Sequence, residues 1–299
     1  FGETAGGQVA LPGSGIAISY CIPTMDRLCD LELTLATSLA QNRVFADRIE
    51  FIVLAFEDGT RTRDWLKAHF RAELATGYLR FVQQPRLPVW HFGIAKNRFR
   101  GVMAGQLYSS LDADNCVTAE ETALLLQCLA ERGANFIFHH FSGVWGDGSS
   151  GRLTLPWRIY ESCGYDAGLF PRQFDEVDAI LTALCSDPEL VLVHYQVDTH
   201  VLETDNIRAF LRATDLTPQS EALPLPHRIA PVNPKPDSYV SDDPVLRLTQ
   251  SLNEAMSFVK NLANSTAQAP WLRRIEADIA EMATLMPPLD LLALIYGPR

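Results

Sequence analysis

The sequence has few basic residues, no long apolar run and no closely paired cysteines. Lys and Arg number 25 against 36 Asp and Glu, which gives a net charge of −11 at pH 7. Because phosphate binding needs a net positive face, this balance excludes a broad surface for nucleic acid. No uninterrupted apolar stretch approaches the roughly 20 residues that a membrane-spanning helix needs. The charge balance still allows a small anionic ligand held by a local basic cluster or by a metal ion.

The cysteines are scattered and form no CxxC pair. In a chain of this size the pattern predicts buried thiols in a reducing compartment, and therefore a cytoplasmic protein. No segment has the features of a signal peptide, and the sequence starts at Phe1 rather than Met, so we expect a trimmed chain or one region of a longer protein. The six positions are Cys21, Cys29, Cys116, Cys128, Cys163 and Cys185.

Short apolar runs alternate with segments of helical periodicity over the first two thirds of the chain. This alternation predicts βαβ units, and therefore an α/β fold with a mainly parallel sheet flanked by helices. Thr118, with Glu121 three residues further on, is typical of a helix N-terminus. Strands are predicted at 16–22, 51–56, 78–82, 106–111, 135–141 and 190–193, and helices at 30–42, 61–74, 94–104, 122–130, 156–163, 176–185 and 204–213.

The composition divides the chain into four parts. They are a Gly-rich flexible lead-in at 1–15, the α/β domain at 16–215, a Pro-rich linker at 216–243 and a C-terminal helical extension at 244–299. The extension predicts two amphipathic helices, at about 245–264 and 270–285, that dock on the core, pack on another subunit or connect to a further domain. Trp271, beside two arginines, indicates at most a weak peripheral contact with a membrane surface.

Polar residues follow three of the predicted strands at the point where each strand ends. They are Pro23 and Thr24, then Asp58, then the DxD motif Asp112-Ala113-Asp114. Open parallel sheets bind ligands at the carboxyl ends of their strands, so these residues predict one site. Carboxylates at i and i+2 of an extended segment face the same side and would suit Mg²⁺ or Mn²⁺. The alternative for the motif is an Asx-rich turn that caps the following helix.

Further candidates lie around this edge, each with a plain structural alternative. Asp58 could accept a hydrogen bond from a nucleobase, or form an ordinary turn. Lys96 belongs to a local basic cluster that, at a helix N-terminus, could meet a diphosphate; otherwise it lies on a solvated helix face. His194 follows an apolar strand and could supply a metal nitrogen, or it could have a purely structural role.

Four carboxylates lie within a short span of the sequence that ends at Asp178. One of them could act as a general base toward a hydroxyl group. The alternative is helix N-terminal charge, because Asp and Glu favour that end. The candidates for the base are Asp175, Glu176 and Asp178.

The order of these motifs resembles the GT-A glycosyltransferases, near family 2. Residues 19–27 resemble the opening strand and loop, 51–64 the second strand with its acidic turn, 95–97 the helix before the metal strand, and 111–115 the DxD motif; residues 151–166 and 174–178 resemble the acceptor segment and the acidic pair. The resemblance spans roughly residues 15–200. It implies a GT-A, Rossmann-like fold for residues 16–215.

The resemblance also implies an enzyme that uses a nucleotide-sugar donor, with UDP as the default, a divalent metal and inversion at the anomeric carbon. Pro23, Thr24, Arg27, Asp58, Lys96, Asp112 and Ala113 would bind the donor, Asp112, Asp114 and His194 the metal, and Glu176 would be the base. Trp145, Asp147, Tyr165 and Asp166 would lie on the acceptor side. The acidic pair reads Asp175-Glu176 in the reverse of the usual order, and Ala167 stands where Glu is common.

Two other classes of function remain open at this point. A nucleotidyltransferase shares the parallel sheet and acidic site, but lacks support from a Gly-rich phosphate loop after the first strand. A non-catalytic binding module on the same fold is the second alternative. The acceptor, whether carbohydrate, lipid-linked or protein, is not specified by the sequence.

Overall fold

An eight-stranded, mostly parallel sheet organises the part of the chain that the structure describes. The computed structural model describes residues 15–141, 152–171, 174–187, 189–196 and 220–223, together with residues 252, 253, 256, 257, 260 and 261. The strands are β1 Ile18–Thr24, β2 Ile49–Phe56, β3 Leu79–Gln84, β4 Leu107–Ser110, β5 Phe136–Phe141, β6 Leu153–Pro156, β7 Val191–Gln196 and β8 Ser220–Leu223. The α-helices are α1 Leu28–Gln41, α2 Arg61–His69, α3 Arg71–Thr76, α4 Phe92–Asn97, α5 Ala119–Arg132, α6 Trp157–Ser162 and α7 Asp175–Ser186.

The strand order is β3-β2-β1-β4-β6-β5-β7-β8. β6 runs antiparallel to both β4 and β5, and the other neighbouring strands pair in parallel. The prediction of an α/β fold with a mainly parallel sheet is therefore confirmed. Because β1, β2 and β4 run the same way, their carboxyl ends meet at one edge of the sheet.

The central strands are buried on both faces. Every residue of β1 and of β2 is buried, which explains why these strands read as continuous apolar runs rather than alternating ones. Alternate residues of β2 enter two separate cores: Phe51 packs with α1 and α5, whereas Ile52 packs with α4, α6 and α7. The helices thus cover both faces of the sheet and fix the position of the strand ends.

Several predicted elements differ from those observed. The helix predicted at 61–74 is interrupted at Phe70, whose φ of −129° and ψ of 39° are not helical. The helix predicted at 94–104 starts earlier, because the His91 side chain accepts a hydrogen bond from the Ile94 amide and caps α4. β6 was not predicted, since four residues ending in proline carry too little periodicity, and β8 lies inside the predicted linker.

The structure also tests predictions about single residues. Thr118 caps α5 by accepting a hydrogen bond from the Glu121 amide at 3.2 Å. All six cysteines are free; the prediction of burial is right for Cys21 and Cys128 and wrong for Cys29, which is exposed. Residues 1–14 of the predicted lead-in, the loop at 142–151 and the helix predicted at 204–213 lie outside the described residues.

Part of the predicted C-terminal extension is described. Residues 252, 253, 256, 257, 260 and 261 are helical, as predicted for 245–264, and we call them the C-terminal helical segment. The second predicted helix lies outside the described residues. Among the described helices, none has the length and apolar character needed to cross a membrane.

Candidate active site

The carboxyl ends of β1, β2 and β4 bring the predicted polar residues to one edge of the sheet. Cys21 of β1 lies opposite Ser110 of β4, and Thr24 lies opposite Ala55 of β2. The DxD motif therefore begins directly beside the loop that follows β1. The prediction that these strand ends share an edge is confirmed by the register.

The second aspartate of the DxD motif is held by an arginine from the β1–α1 loop. Arg27 donates to Asp114 at 2.8 Å and to Asp30 at 2.5 Å, and the Asp114 side chain is only 5% exposed. Burial disfavours the charge on Arg27, but the two carboxylates raise its pKa above the usual value. The Thr34 hydroxyl donates to the Ala113 carbonyl at 2.7 Å and fixes the backbone between the two aspartates.

A buried lysine joins two of the candidate bases. The Lys96 side chain is fully buried, and its Nζ donates to Asp175 at 2.9 Å and to Glu176 at hydrogen-bond distance. Lys96 lies in the last turn of α4, so the expectation that it stands at a helix N-terminus is wrong, because α4 begins at Phe92. The structure places it with the carboxylates at the start of α7.

Burial and charge shift the pKa values of this cluster. Burial, and then the neighbouring Asp175, raise the pKa of Glu176 to about 8, although Lys96 opposes the shift. Burial alone would lower the pKa of Lys96, but Asp175 and Glu176, with a further contribution from Asp112, raise it well above the usual range. Asp112 therefore acts electrostatically on the same lysine as the carboxylates of α7.

Tyr165 lines the same cluster. The centroid of its buried ring lies 4.9 Å from Lys96 Nζ. The Asn97 side chain donates a hydrogen bond to the Tyr165 carbonyl at 2.6 Å and accepts one from the Tyr165 amide at 2.9 Å. A Cβ added at Gly93 would lie 2.8 Å from the Asp166 carbonyl oxygen, so glycine is required where α4 passes this segment. The acceptor-side residues Tyr165 and Asp166 are thus attached to α4.

Asp178 is separated from the other two candidate bases by its partner. Lys260 of the C-terminal helical segment donates to Asp178 at 2.6 Å and to Asp166 at 3.0 Å. Burial raises the pKa of Asp178, while Lys260 and a hydrogen bond with Ser257 counteract part of this shift. Neither the sequence pattern nor the resemblance indicated these contacts, since a single lysine in an amphipathic helix carries no such signal.

Asp58, the residue predicted to recognise the nucleobase, lies at the surface of the protein. Asp58 is exposed in the turn after β2 and accepts a hydrogen bond from the Arg86 amide at 3.3 Å. Arg86 also forms two bonds with Asp26, one of them at 2.6 Å. Asp26 has a φ of 59°, in the left-handed region, so the loop after β1 turns sharply toward the loop after β3.

The chemistry of the DxD pair fits a divalent cation. Asp112 and Asp114 supply the hard carboxylate oxygens that Mg²⁺ and Mn²⁺ prefer, and such ions complete their shell with water or phosphate oxygens. Within the described ranges, no group of three or more His, Cys, Asp or Glu side chains is arranged to hold a metal. The backbone of His194 lies in β7 opposite His139, whereas its side chain, Trp145 and Asp147 lie outside what the structure describes.

The fold is similar to the GT-A fold of solved glycosyltransferases, as the comparisons with solved structures show. A mannosyltransferase from Pyrobaculum calidifontis, solved with GDP-Man and Mn²⁺, is 14% identical, with a TM-score of 0.53 over 95% of this chain and 80% of its own. TarS 1–349 from S. aureus is 10% identical, with a TM-score of 0.55 over 94% of this chain and 76% of its own; it was also solved with UDP-GlcNAc. No family model and no curated protein sequence matches the chain.

Proposed function

We propose that the protein is a metal-dependent glycosyltransferase that moves a sugar from a nucleotide-diphosphate donor, a UDP-sugar by default, to a hydroxyl acceptor with inversion. One observation carries this proposal: the buried Lys96, which binds Asp175 and Glu176, also carries an electrostatic contribution from the strand-end Asp112. A site that could hold a cation and a leaving group would therefore adjoin a group that can take up a proton. The solved relatives of this fold, which include complexes with nucleotide-sugars and Mn²⁺, support the same class of reaction.

The donor would bind along the edge formed by β1, β2 and β4. Asp58 would accept a hydrogen bond from the base, and Pro23 and Thr24 would form the wall of its pocket. Asp112 and Asp114 would hold Mn²⁺ or Mg²⁺, which supplies Lewis-acid stabilisation of the diphosphate leaving group. Arg27, already bound to Asp114 at 2.8 Å, would place its positive charge beside the same phosphates.

Glu176 is the proposed base. Its side chain is 12% exposed, more than the 7% of Asp175 and the 1% of Asp178, so a proton from the acceptor reaches it most directly. A pKa of about 8, raised by burial, is suited to a group that takes a proton near neutral pH. Lys96 would stabilise the ionised form before the transfer, and Asp178 would serve as the partner of Lys260.

The test is the Asp114→Ala variant in an assay for Mn²⁺-dependent hydrolysis of UDP-GlcNAc and GDP-mannose, with UTP and GTP as comparison substrates. We expect turnover to fall by about 10²–10⁴-fold, the scale for loss of an electrostatic or acid–base element. Asp47→Ala is the matched control, because Asp47 is exposed and precedes β2 at the opposite edge of the sheet. Wild-type turnover in Asp114→Ala would overturn the proposed metal site, and turnover of the triphosphates alone would indicate nucleotidyl transfer.

A further inference from the structure

Three residues of the C-terminal helical segment face the loop and helix that carry the proposed acceptor side and base. Asn253, Ser257 and Lys260 follow one another at intervals of four and three residues, which places them on one face of a helix. Asn253 and Ser257 are buried. A face made of buried polar residues packs on the core only where each finds a specific partner, because unpaired buried polar groups are costly.

The first partner is the backbone of the acceptor-side loop. Asn253 accepts from the Phe170 amide at 2.7 Å and donates to the Phe170 carbonyl at 3.1 Å. This amide ring fixes a loop residue that no described strand or helix contains. Phe170 lies between Asp166, which borders Tyr165, and the start of α7, so the contact determines where the acceptor-side loop lies relative to the proposed base.

The second partner is a pair of carboxylates on different elements. Lys260 binds Asp166 on the loop at 3.0 Å and Asp178 on α7 at 2.6 Å. Each carboxylate increases the free energy needed to ionise the other, because like charges repel strongly in a partly buried site. The lysine replaces this repulsion by two attractive contacts, and it thereby joins the loop to α7 two residues after Glu176.

We propose that Lys260 is a positioning residue for the transfer reaction: with Asn253, it holds the acceptor-side loop and the first turn of α7 in the one arrangement that aligns the base with the acceptor. This inference rests on the proposed function and extends it. It makes the C-terminal helical segment a part of the active-site structure, because its described contacts are with the acceptor-side loop and α7.

The experiment compares three full-length variants. Lys260→Met removes the charge and keeps the length of the side chain, Lys260→Arg restores a cation, and Lys67→Met is the matched control at an exposed position on α2. Each is measured for UDP binding with Mn²⁺ by calorimetry, and for kcat and donor KM in hydrolysis of the donor that wild type uses. Asn253→Ala is a fourth variant, which replaces Lys260→Met in these assays if Lys260→Met does not fold.

We expect Lys260→Met to lower kcat by at least about tenfold, because a small displacement of a positioned group reduces the rate strongly. UDP affinity and donor KM should stay within about twofold of wild type, since the donor edge is not touched. Lys260→Arg should recover most of the lost kcat. A folded Lys260→Met variant with wild-type kcat would overturn the proposal. A loss of UDP affinity as large as the loss of kcat would also overturn it.

The experiment distinguishes failure of the proposed function from failure of the proposed positioning role. If wild type binds UDP and Mn²⁺ but releases no nucleotide from any donor, transferase activity is refuted, and hydrogen exchange decides whether the positioning exists. Asn253→Ala and Lys260→Met should then speed exchange at the amides of Phe170 and Asp178, whereas Lys67→Met should not. Unchanged exchange at both amides would overturn the proposed positioning by itself.

Discussion

Replacing Lys96 by methionine tests the buried charge cluster at the centre of the site. Lys96 is fully buried and is the shared cation of Asp175 and Glu176. Removing one partner of a buried ion pair costs about 3–5 kcal/mol, because the remaining charge keeps its desolvation penalty. For a domain of this size each kcal/mol lowers Tm by roughly 2–4 °C, so we expect a loss of roughly 6–20 °C.

Thermal unfolding followed by circular dichroism at pH 8 and at pH 5 is the measurement. The loss should be smaller at pH 5, because Glu176, whose pKa is about 8, is then protonated and leaves no uncompensated charge. Lys67→Met, at an exposed position, should change the free energy of unfolding by no more than about 0.5 kcal/mol. If Lys96→Met lowers Tm no more than this control at pH 8, the cluster does not have the energetic role assigned to it.

Two further predictions concern pH and close packing. The folded-state pKa of Glu176, about 8, lies above its ordinary value of 4.5; the native state therefore binds this proton more tightly, and wild-type stability should fall as pH rises between these values. Urea unfolding across this range should show a flatter slope for Glu176→Gln, and an identical slope would contradict the assignment. Gly93→Ala should lower stability by about 1–3 kcal/mol, because its Cβ has no room beside the facing backbone. Gly59→Ala, where a Cβ meets open space, is its control, and equal Tm values would refute the packing argument.

The sequence determined the alternation of strands and helices because those signals are local. Apolar runs such as 51–56 predict strands that are covered on both faces, and a Thr–x–x–Glu pattern predicts the cap that Thr118 provides. The same strand assignments predict that the polar residues after β1, β2 and β4 lie close together, because the carboxyl ends of parallel strands share one edge of a sheet. Two strands were not predicted, because their sequences carry little local signal. β6 has only four residues, and β8 lies in a proline-rich stretch.

Pairing between distant residues was decided by the tertiary structure alone. The sequence singles out Lys96, Asp175 and Glu176 as charged residues, but it places the lysine at a phosphate rather than between the two carboxylates. The contact joins residues about 80 positions apart, and the link from Lys260 to Asp166 is longer still. Side-chain periodicity reports which face of an element is buried, whereas the choice of partner across a buried interface depends on how helices pack on the sheet, and no local pattern encodes that geometry.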